Sequence, residues 1–186
     1  MSAVIISGGP GAGKTTLINA LAQRGFRYGD EVSRRLIEEQ QLRVDGILPW
    51  TDLPAFAALC LTEMQTQKEQ ALTDAQWHFL DRAIGDICAY LTVGGEGIPA
   101  HYSQAAQGYY GVVFVCPPQA QIYQQDAVRP HPFDEAQHIH QQLVHTYQQL
   151  DYQVVTVPWL PIEQRAQWVL DYLQQEQTGS ERELSV

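Results

Sequence analysis

The chain has 186 residues, 45% of them apolar, and a formal net charge of −10. That length and apolar content suit one domain with a sizeable core, expected over residues 1–177, and leave disorder to a polar tail at 178–186. Eleven Lys and Arg against 21 Asp and Glu exclude the basic surface that a nucleic acid or an anionic membrane would need.

Ala3 to Ser7 is a short apolar run without helical period, the mark of a buried strand. It leads straight into Gly8-Gly9-Pro10-Gly11-Ala12-Gly13-Lys14-Thr15-Thr16, which fits the pattern Gly-x-x-x-x-Gly-Lys-[Ser/Thr]. Leu17, Ile18, Ala20 and Leu21 follow at helical spacing, and Gly25 stands where a C-cap glycine would. Strand, glycine-rich loop and helix in that order read as a phosphate site rather than a plain turn. Glycines let main-chain N–H groups close on phosphate oxygens, and the helix N-terminus adds unpaired donors and a positive dipole end. Lys14 is then placed to reach the β- and γ-phosphates, Thr15 to ligate Mg²⁺ through its hydroxyl, and Thr16 to bond a further phosphate oxygen. The implied cofactors are ATP and Mg²⁺.

Phe26 to Gly29 reads as a second strand, followed by a helix over Val32 to Leu42. Between them Glu31, with Arg34 one turn on, is a candidate to bind an acceptor substrate or to serve as its base. A solvated helix start is the competing reading. Thr51-Asp52 and Pro54 open a helix that runs to about Leu72. Trp77 to Leu80 is a third strand that delivers Asp81-Arg82, with a helix expected over Ala83 to Leu91. Asp81 is placed to orient Mg²⁺ or a nucleophile, and Arg82 to hold an anionic group of the substrate. An N-cap role for Asp81 competes with, and is compatible with, that assignment.

A short helix is expected from Pro99 to about Gln107, and a central strand from Gly111 to Cys116. The Pro-rich stretch 119–134 resembles a lid, in which Arg129 is placed to stabilise charge on a transferring phosphoryl group. Glu135 to Leu150 is an amphipathic helix with Ile139, Leu143 and Tyr147 on one stripe. The last strand is Gln153 to Val157 and the last helix Ile162 to Gln175. Trp159, between them, either stacks on a base or covers the core, and the second is the expectation. Arg165 lies near the nucleotide base or pairs with a carboxylate. His138 and His140 face different ways on their helix and read as solvated, not as metal ligands. Cys60, Cys88 and Cys116 show no metal spacing and point to reduced, buried thiols in a cytoplasmic setting. The N-terminus enters a strand directly, so no signal peptide is expected, and no apolar stretch is long enough to span a bilayer.

Strands alternating with helices imply an α/β fold whose parallel sheet is covered on both faces. Ligands in such sheets bind beyond the carboxyl ends of the strands, which gathers the phosphate loop, Glu31, Asp81, Arg82 and Arg129 along one rim.

The stretches Ile5 to Thr16, Glu31 with Arg34 to Ile37, Phe79 to Arg82 with Asp86 and Tyr90, and Val155 to Pro158 with Glu163 and Arg165 carry a family resemblance. The chain resembles the AAA-type ATPase domain family related to the nicotinamide riboside kinase domain of NadR and to the animal TRPL-translocation-defect proteins. The resemblance implies a kinase-like, three-layer P-loop NTPase fold with a five-stranded parallel sheet in the order 2-3-1-4-5. It implies a nucleotide and leaves the acceptor unnamed.

Two functions follow. The first is a kinase-like phosphotransferase that moves a phosphoryl group from MgATP to a small molecule such as a nucleoside or cofactor precursor. The second is a nucleotide-dependent regulatory ATPase or GTPase that binds a protein partner. Asn19 is the chain's single asparagine, so the guanine-reading Asn-Lys-x-Asp motif is absent. Neither function calls for nucleic acid or membrane insertion, and nothing in the pattern points to a particular oligomeric state.

Overall fold

The computed structural model describes residues 2–120 and 132–183. Five short runs form a parallel sheet: β1 (Ala3–Ser7), β2 (Arg27–Gly29), β3 (His78–Asp81), β4 (Val112–Val115) and β5 (Gln153–Thr156). Their order is β2-β3-β1-β4-β5, as the family resemblance implied. The three central strands are buried on both faces, which is why they read as unbroken apolar runs. The edge strands β2 and β5 are partly exposed and correspondingly polar.

Alternation along the strands divides the core in two. Val4, Ile6, Phe79 and Phe114 pack against α1 (Lys14–Gln23) and α7 (Ile162–Glu183). Ala3, Ile5, Leu80, Val113 and Val115 face the other way. That second layer holds α2 (Val32–Gln41), α3 (Leu53–Leu72), α4 (Ile84–Val93), α5 (Ala100–Ala105) and α6 (Phe133–Gln149). Each fully buried Leu, Ile or Phe contributes about 1.5–3 kcal/mol, so the two layers, not any surface contact, hold the sheet. The helix stripes behave as their spacing indicates: Val32, Leu36 and Ile37 are buried on α2, and Ile139, Leu143 and Tyr147 on α6.

Two boundaries differ from expectation. Asp81 does not cap a helix: it is the last residue of β3, and α4 starts later, with Ala83 as its N-cap. Helix α7 continues past Gln175 to Glu183: no proline stops it, and Glu176 and Gln177 carry it into Thr178-Gly179-Ser180 despite their low helix propensity. All three cysteines are free and buried, as expected, and no helix among the described residues is long and apolar enough to cross a membrane.

A polar pin runs through the second layer. Asp86, on the first turn of α4, is fully buried. It accepts hydrogen bonds from Ser7 Oγ at 2.8 Å, Arg82 Nη1 at 3.0 Å, the Ala83 N–H at 3.1 Å and the Tyr147 hydroxyl at 2.6 Å. Burial first, and then Asp86, hold the Tyr147 phenol well above the ordinary tyrosine pKa, so it remains a donor. Gly85 lets that ring lie flat on α4, since a Cβ there would come within 2.4 Å of Tyr147 Cε1.

Two stability outcomes are expected. Gly85→Ala gains about 1 kcal/mol of helix propensity but overpacks Tyr147, which its bond to Asp86 keeps from moving, at a cost of about 1–3 kcal/mol. A lower urea midpoint should therefore be seen, and a raised midpoint would refute the packing argument. Asp86→Asn strips the charge partner from a buried guanidinium and should cost about 3–5 kcal/mol in the same denaturation experiment.

Candidate active site

The phosphate loop occupies residues 8–13, between β1 and α1. Gly8 has φ 133° and passes so close to β4 that a Cβ would sit 2.1 Å from the Cys116 carbonyl oxygen. Only glycine fits this position on both counts. Gly9 is equally confined, by α6: a Cβ there would lie 2.7 Å from the Ala136 carbonyl oxygen. Gly13 takes a left-handed φ of 72° and starts α1 by accepting the Leu17 N–H at 3.1 Å. The helix N-terminus therefore points into the curl of the loop.

Lys14 is 4% exposed, and its Nζ donates at 3.0 Å to the carbonyls of both Gly8 and Gly9. The ammonium is folded over the space that the loop encloses. Thr15 Oγ1 donates to Asp81 Oδ2 at 2.9 Å, bringing the predicted metal pair together across β1 and β3. Asp81 Oδ1 is buried without a partner among the described residues. One hydroxyl, one carboxylate with a spare oxygen and an adjacent phosphate cradle fit Mg²⁺, which keeps water and phosphate oxygens for its other ligands. Thr16 is exposed on the first turn of α1.

Glu31, Arg34 and Arg82 converge, as the rim argument anticipated. Arg82 is 2% exposed and has φ 69°, a left-handed backbone uncommon outside glycine. Its Nε donates to Glu31 Oε1 at 3.0 Å and its Nη1 to Asp86 Oδ1 at 3.0 Å. Burial opposes its charge, but Tyr90, Asp86 and Asp81 outweigh that and hold its pKa above the ordinary arginine value. Nη2 is buried without a partner among the described residues. Glu31 also accepts from Ser33 Oγ at 3.2 Å, and Arg34 Nε lies 4.0 Å from Glu31 Oε2. With 9% exposure, Glu31 is no solvated helix start. Arg35 differs: it is on the surface, paired to Glu39 and Glu63 at 2.9 Å each.

These groups form the polar side of a cavity of about 310 Å³. Its apolar wall includes Ile37, Trp50, Phe56, Ile87 and Tyr90. Sequence reading missed this wall. The segment before α3 carries Val44, Ile47, Leu48 and Trp50, and that apolar content was a visible signal. It also missed Asp86 as the group that orients Arg82.

At the other end of the loop, Arg165 is 4% exposed, and its Nη2 donates to the Ala12 carbonyl at 3.4 Å. It pairs with no carboxylate among the described residues. Its guanidinium lies 5.2 Å from the Trp159 ring centroid. Trp159 is 49% exposed, so it does not cover the core as expected. His140 also departs from expectation: Nδ1 is buried, and burial followed by the charge of Lys14 lowers its pKa. Arg129 lies outside the described residues.

The same arrangement of chain recurs in solved structures. The crystal structure of NadR protein in complex with NR superimposes with a TM-score of 0.68 at 17% identity, over 94% of this chain and 50% of NadR. This chain thus spans half the length of that protein. Deoxyadenosine kinase from M. mycoides gives 0.57 at 13% identity, covering 93% of this chain and 99% of the kinase. Shikimate kinase from Acinetobacter baumannii, in complex with shikimate, gives 0.58 at 14% identity, covering 95% and 94%. At such identities these likenesses establish a kinase-like P-loop fold. No curated protein sequence matches the chain. The sequence model of the AAA domain matches residues 3–165, from the first residue of β1 to the arginine beneath Trp159. A match of that extent, on a sheet ordered β2-β3-β1-β4-β5 with the phosphate loop at its centre, makes this chain a member of the AAA domain family of P-loop NTPases.

Proposed function

We propose that the protein is a kinase-like phosphotransferase that transfers the γ-phosphoryl group of MgATP to a hydroxyl of a small molecule. One observation carries the reading: Lys14 and the Thr15–Asp81 pair stand at one side of the rim, and a cavity with Glu31 and Arg82 on its polar side stands at the other. A plain switch needs the first of these and has no use for the second.

The roles divide accordingly. The loop amides and Lys14 bind the triphosphate, with Lys14 exchanging the Gly8 and Gly9 carbonyls for β- and γ-phosphate oxygens. Thr15 and Asp81 would hold Mg²⁺, which when bound would supply positive charge against the phosphate oxygens. Glu31 accepts the proton of the attacking hydroxyl, and Arg82 fixes the direction of the Glu31 carboxylate. Arg129 is assigned on sequence grounds to close on the γ-phosphate. Residues 1–177 act as one domain, and the free, buried cysteines suit a cytoplasmic setting.

The cavity also bears on the acceptor. Arg82 and Arg34 both face carboxylates, so an anionic acceptor meets no uncommitted charge there. The Trp50, Phe56 and Tyr90 rings suit a flat, weakly polar body. A neutral nucleoside or cofactor precursor fits better than a carboxylic acid such as the shikimate bound by one structural relative.

Two measurements test the reading. MgATP at about 100 times its dissociation constant should stabilise the wild type by about 2.7 kcal/mol in a thermal-shift assay, and Lys14→Ala should lose the effect. Labelled ATP with a panel of nucleosides and cofactor precursors should yield a phosphorylated acceptor, and Glu31→Gln should slow that transfer by about 100- to 10,000-fold while still binding ATP. Transfer to water alone across the panel would defeat the phosphotransferase reading in favour of a regulatory ATPase.

A further inference from the structure

We propose that Ser7 is a positioning residue that conveys the filling of the phosphate loop, through Asp86 Oδ1, to the Arg82–Glu31 pair in the cavity. The proposal rests on the functional reading above and adds to it the route by which a bound triphosphate acts on the Glu31 carboxylate.

The two oxygens of Asp86 have different partners. Oδ1 accepts Ser7 Oγ at 2.8 Å and Arg82 Nη1 at 3.0 Å. Oδ2 accepts the Ala83 N–H at 3.1 Å and the Tyr147 hydroxyl at 2.6 Å. One oxygen therefore serves the loop and the cavity, and the other fastens α4 to α6. Ser7 is fully buried at the end of β1, and its hydroxyl reaches Asp86 rather than the cavity. Any part it takes in the chemistry is exerted through that carboxylate.

Ser7 is held so that a change in the loop reaches its hydroxyl. Its carbonyl accepts the Cys116 N–H at 2.8 Å, and Gly8, the next residue, runs so close to the Cys116 carbonyl that a Cβ has no room. The Gly8 and Gly9 carbonyls hold Lys14 Nζ, the group that turns to the phosphates when a triphosphate enters. That exchange releases two carbonyls immediately beyond Ser7, in a stretch with no slack. Two donors on one carboxylate oxygen share its charge, so a change in the Ser7 bond alters the Arg82 bond. Arg82 carries the change onward, because the Nε that donates to Glu31 Oε1 at 3.0 Å lies in the same rigid plane as Nη1. The backbone of Arg82 is tied separately, its N–H donating to the Ile6 carbonyl at 3.0 Å, so the Ser7 route addresses the side chain alone. Such coupling is reciprocal: a ligand that draws on Glu31 acts back on the loop.

Heteronuclear NMR of the isotope-labelled full chain tests this, with MgATP and magnesium tripolyphosphate as probes. The reporter is the Arg82 Nε–H signal, which sits on the bond to Glu31, while the amide signals of residues 8–13 report binding. In the wild type both probes should move the loop amides and should shift the Arg82 signal by more than a linewidth. In Ser7→Ala the loop amides should still move and the Arg82 signal should stay within a linewidth. Ser7→Cys, a weak donor, should leave a reduced shift, and it takes the place of the alanine variant if that one does not fold. In Tyr147→Phe, which removes a donor from Oδ2 alone, the shift should persist in full although the fold is less stable. An Arg82 shift in Ser7→Ala equal to that of the wild type would overturn the route, since the ligand would then be reaching Arg82 without Ser7. So would an equal loss in Tyr147→Phe, which would make the effect a general loosening of the carboxylate. A wild-type Arg82 signal that stays still while the loop amides move would overturn the coupling itself. Loop amides that respond to neither probe would instead defeat the phosphate-loop reading, and this proposal with it. None of these readouts needs an acceptor, so failure of the Ser7 route is distinguishable from failure of phosphoryl transfer.

Discussion

The buried carboxylate of Asp86 is the interaction on which both the packing and the site depend. An ionised group with no exposure is tolerable only if hydrogen bonds replace the water it has lost. Here those bonds come from four places in the chain: the end of β1, the residue after β3, the start of α4 and the last turn of α6. Removing any donor leaves the others bound to a less satisfied charge, so the set behaves as a unit. The left-handed backbone of Arg82, at φ 69°, belongs to the same unit. Such a conformation costs about 1–3 kcal/mol and persists only where surrounding contacts fix it. Two carboxylates on one guanidinium supply those contacts.

That arrangement has a consequence for chemistry. Ser7 bonds Asp86 and directly precedes the phosphate loop, while Arg82 bonds Asp86 and orients Glu31 in the cavity. The phosphate loop and the cavity are therefore tied to one carboxylate, and on the phosphotransferase reading this would keep donor and acceptor from drifting apart independently. Phosphoryl transfer consists mostly of positioning, and a misplacement of an ångström is expensive. A rigid link between the two sides matters more than any extra contact to either substrate.

Much of the layout was legible because it is local. The apolar cores of β1, β3 and β4 made the central strands legible, and Gly8 to Thr15 located the loop and its place on the sheet. Asp81 was legible through its position at the end of an apolar run, although its side chain turned out to bond Thr15 rather than a helix start. What escaped the sequence was long-range or rotational. Tyr147 lies 61 positions from Asp86, and its stripe on α6 predicts burial without naming the polar partner. Glu31 read equally well as solvated, because nothing local says that Arg82, 51 positions on, will cover it. Trp159 was expected to turn inward because most aromatics after a strand do. It is instead half exposed, with the Arg165 guanidinium 5.2 Å from its ring centroid.

The overall charge of −10 might be thought to disfavour a ligand as anionic as a nucleoside triphosphate. The effect of distant carboxylates fades over the screening length, roughly 8 Å at physiological salt, while groups in contact act almost unscreened. Within contact range the loop presents an ammonium, inward-turned amides and the positive end of α1. The acidic group nearest the loop is already engaged, since Asp81 accepts the Thr15 hydroxyl, and a divalent cation held by that pair would offset its charge. An acidic protein can therefore bind a polyanion tightly at one point while its surface repels extended ones.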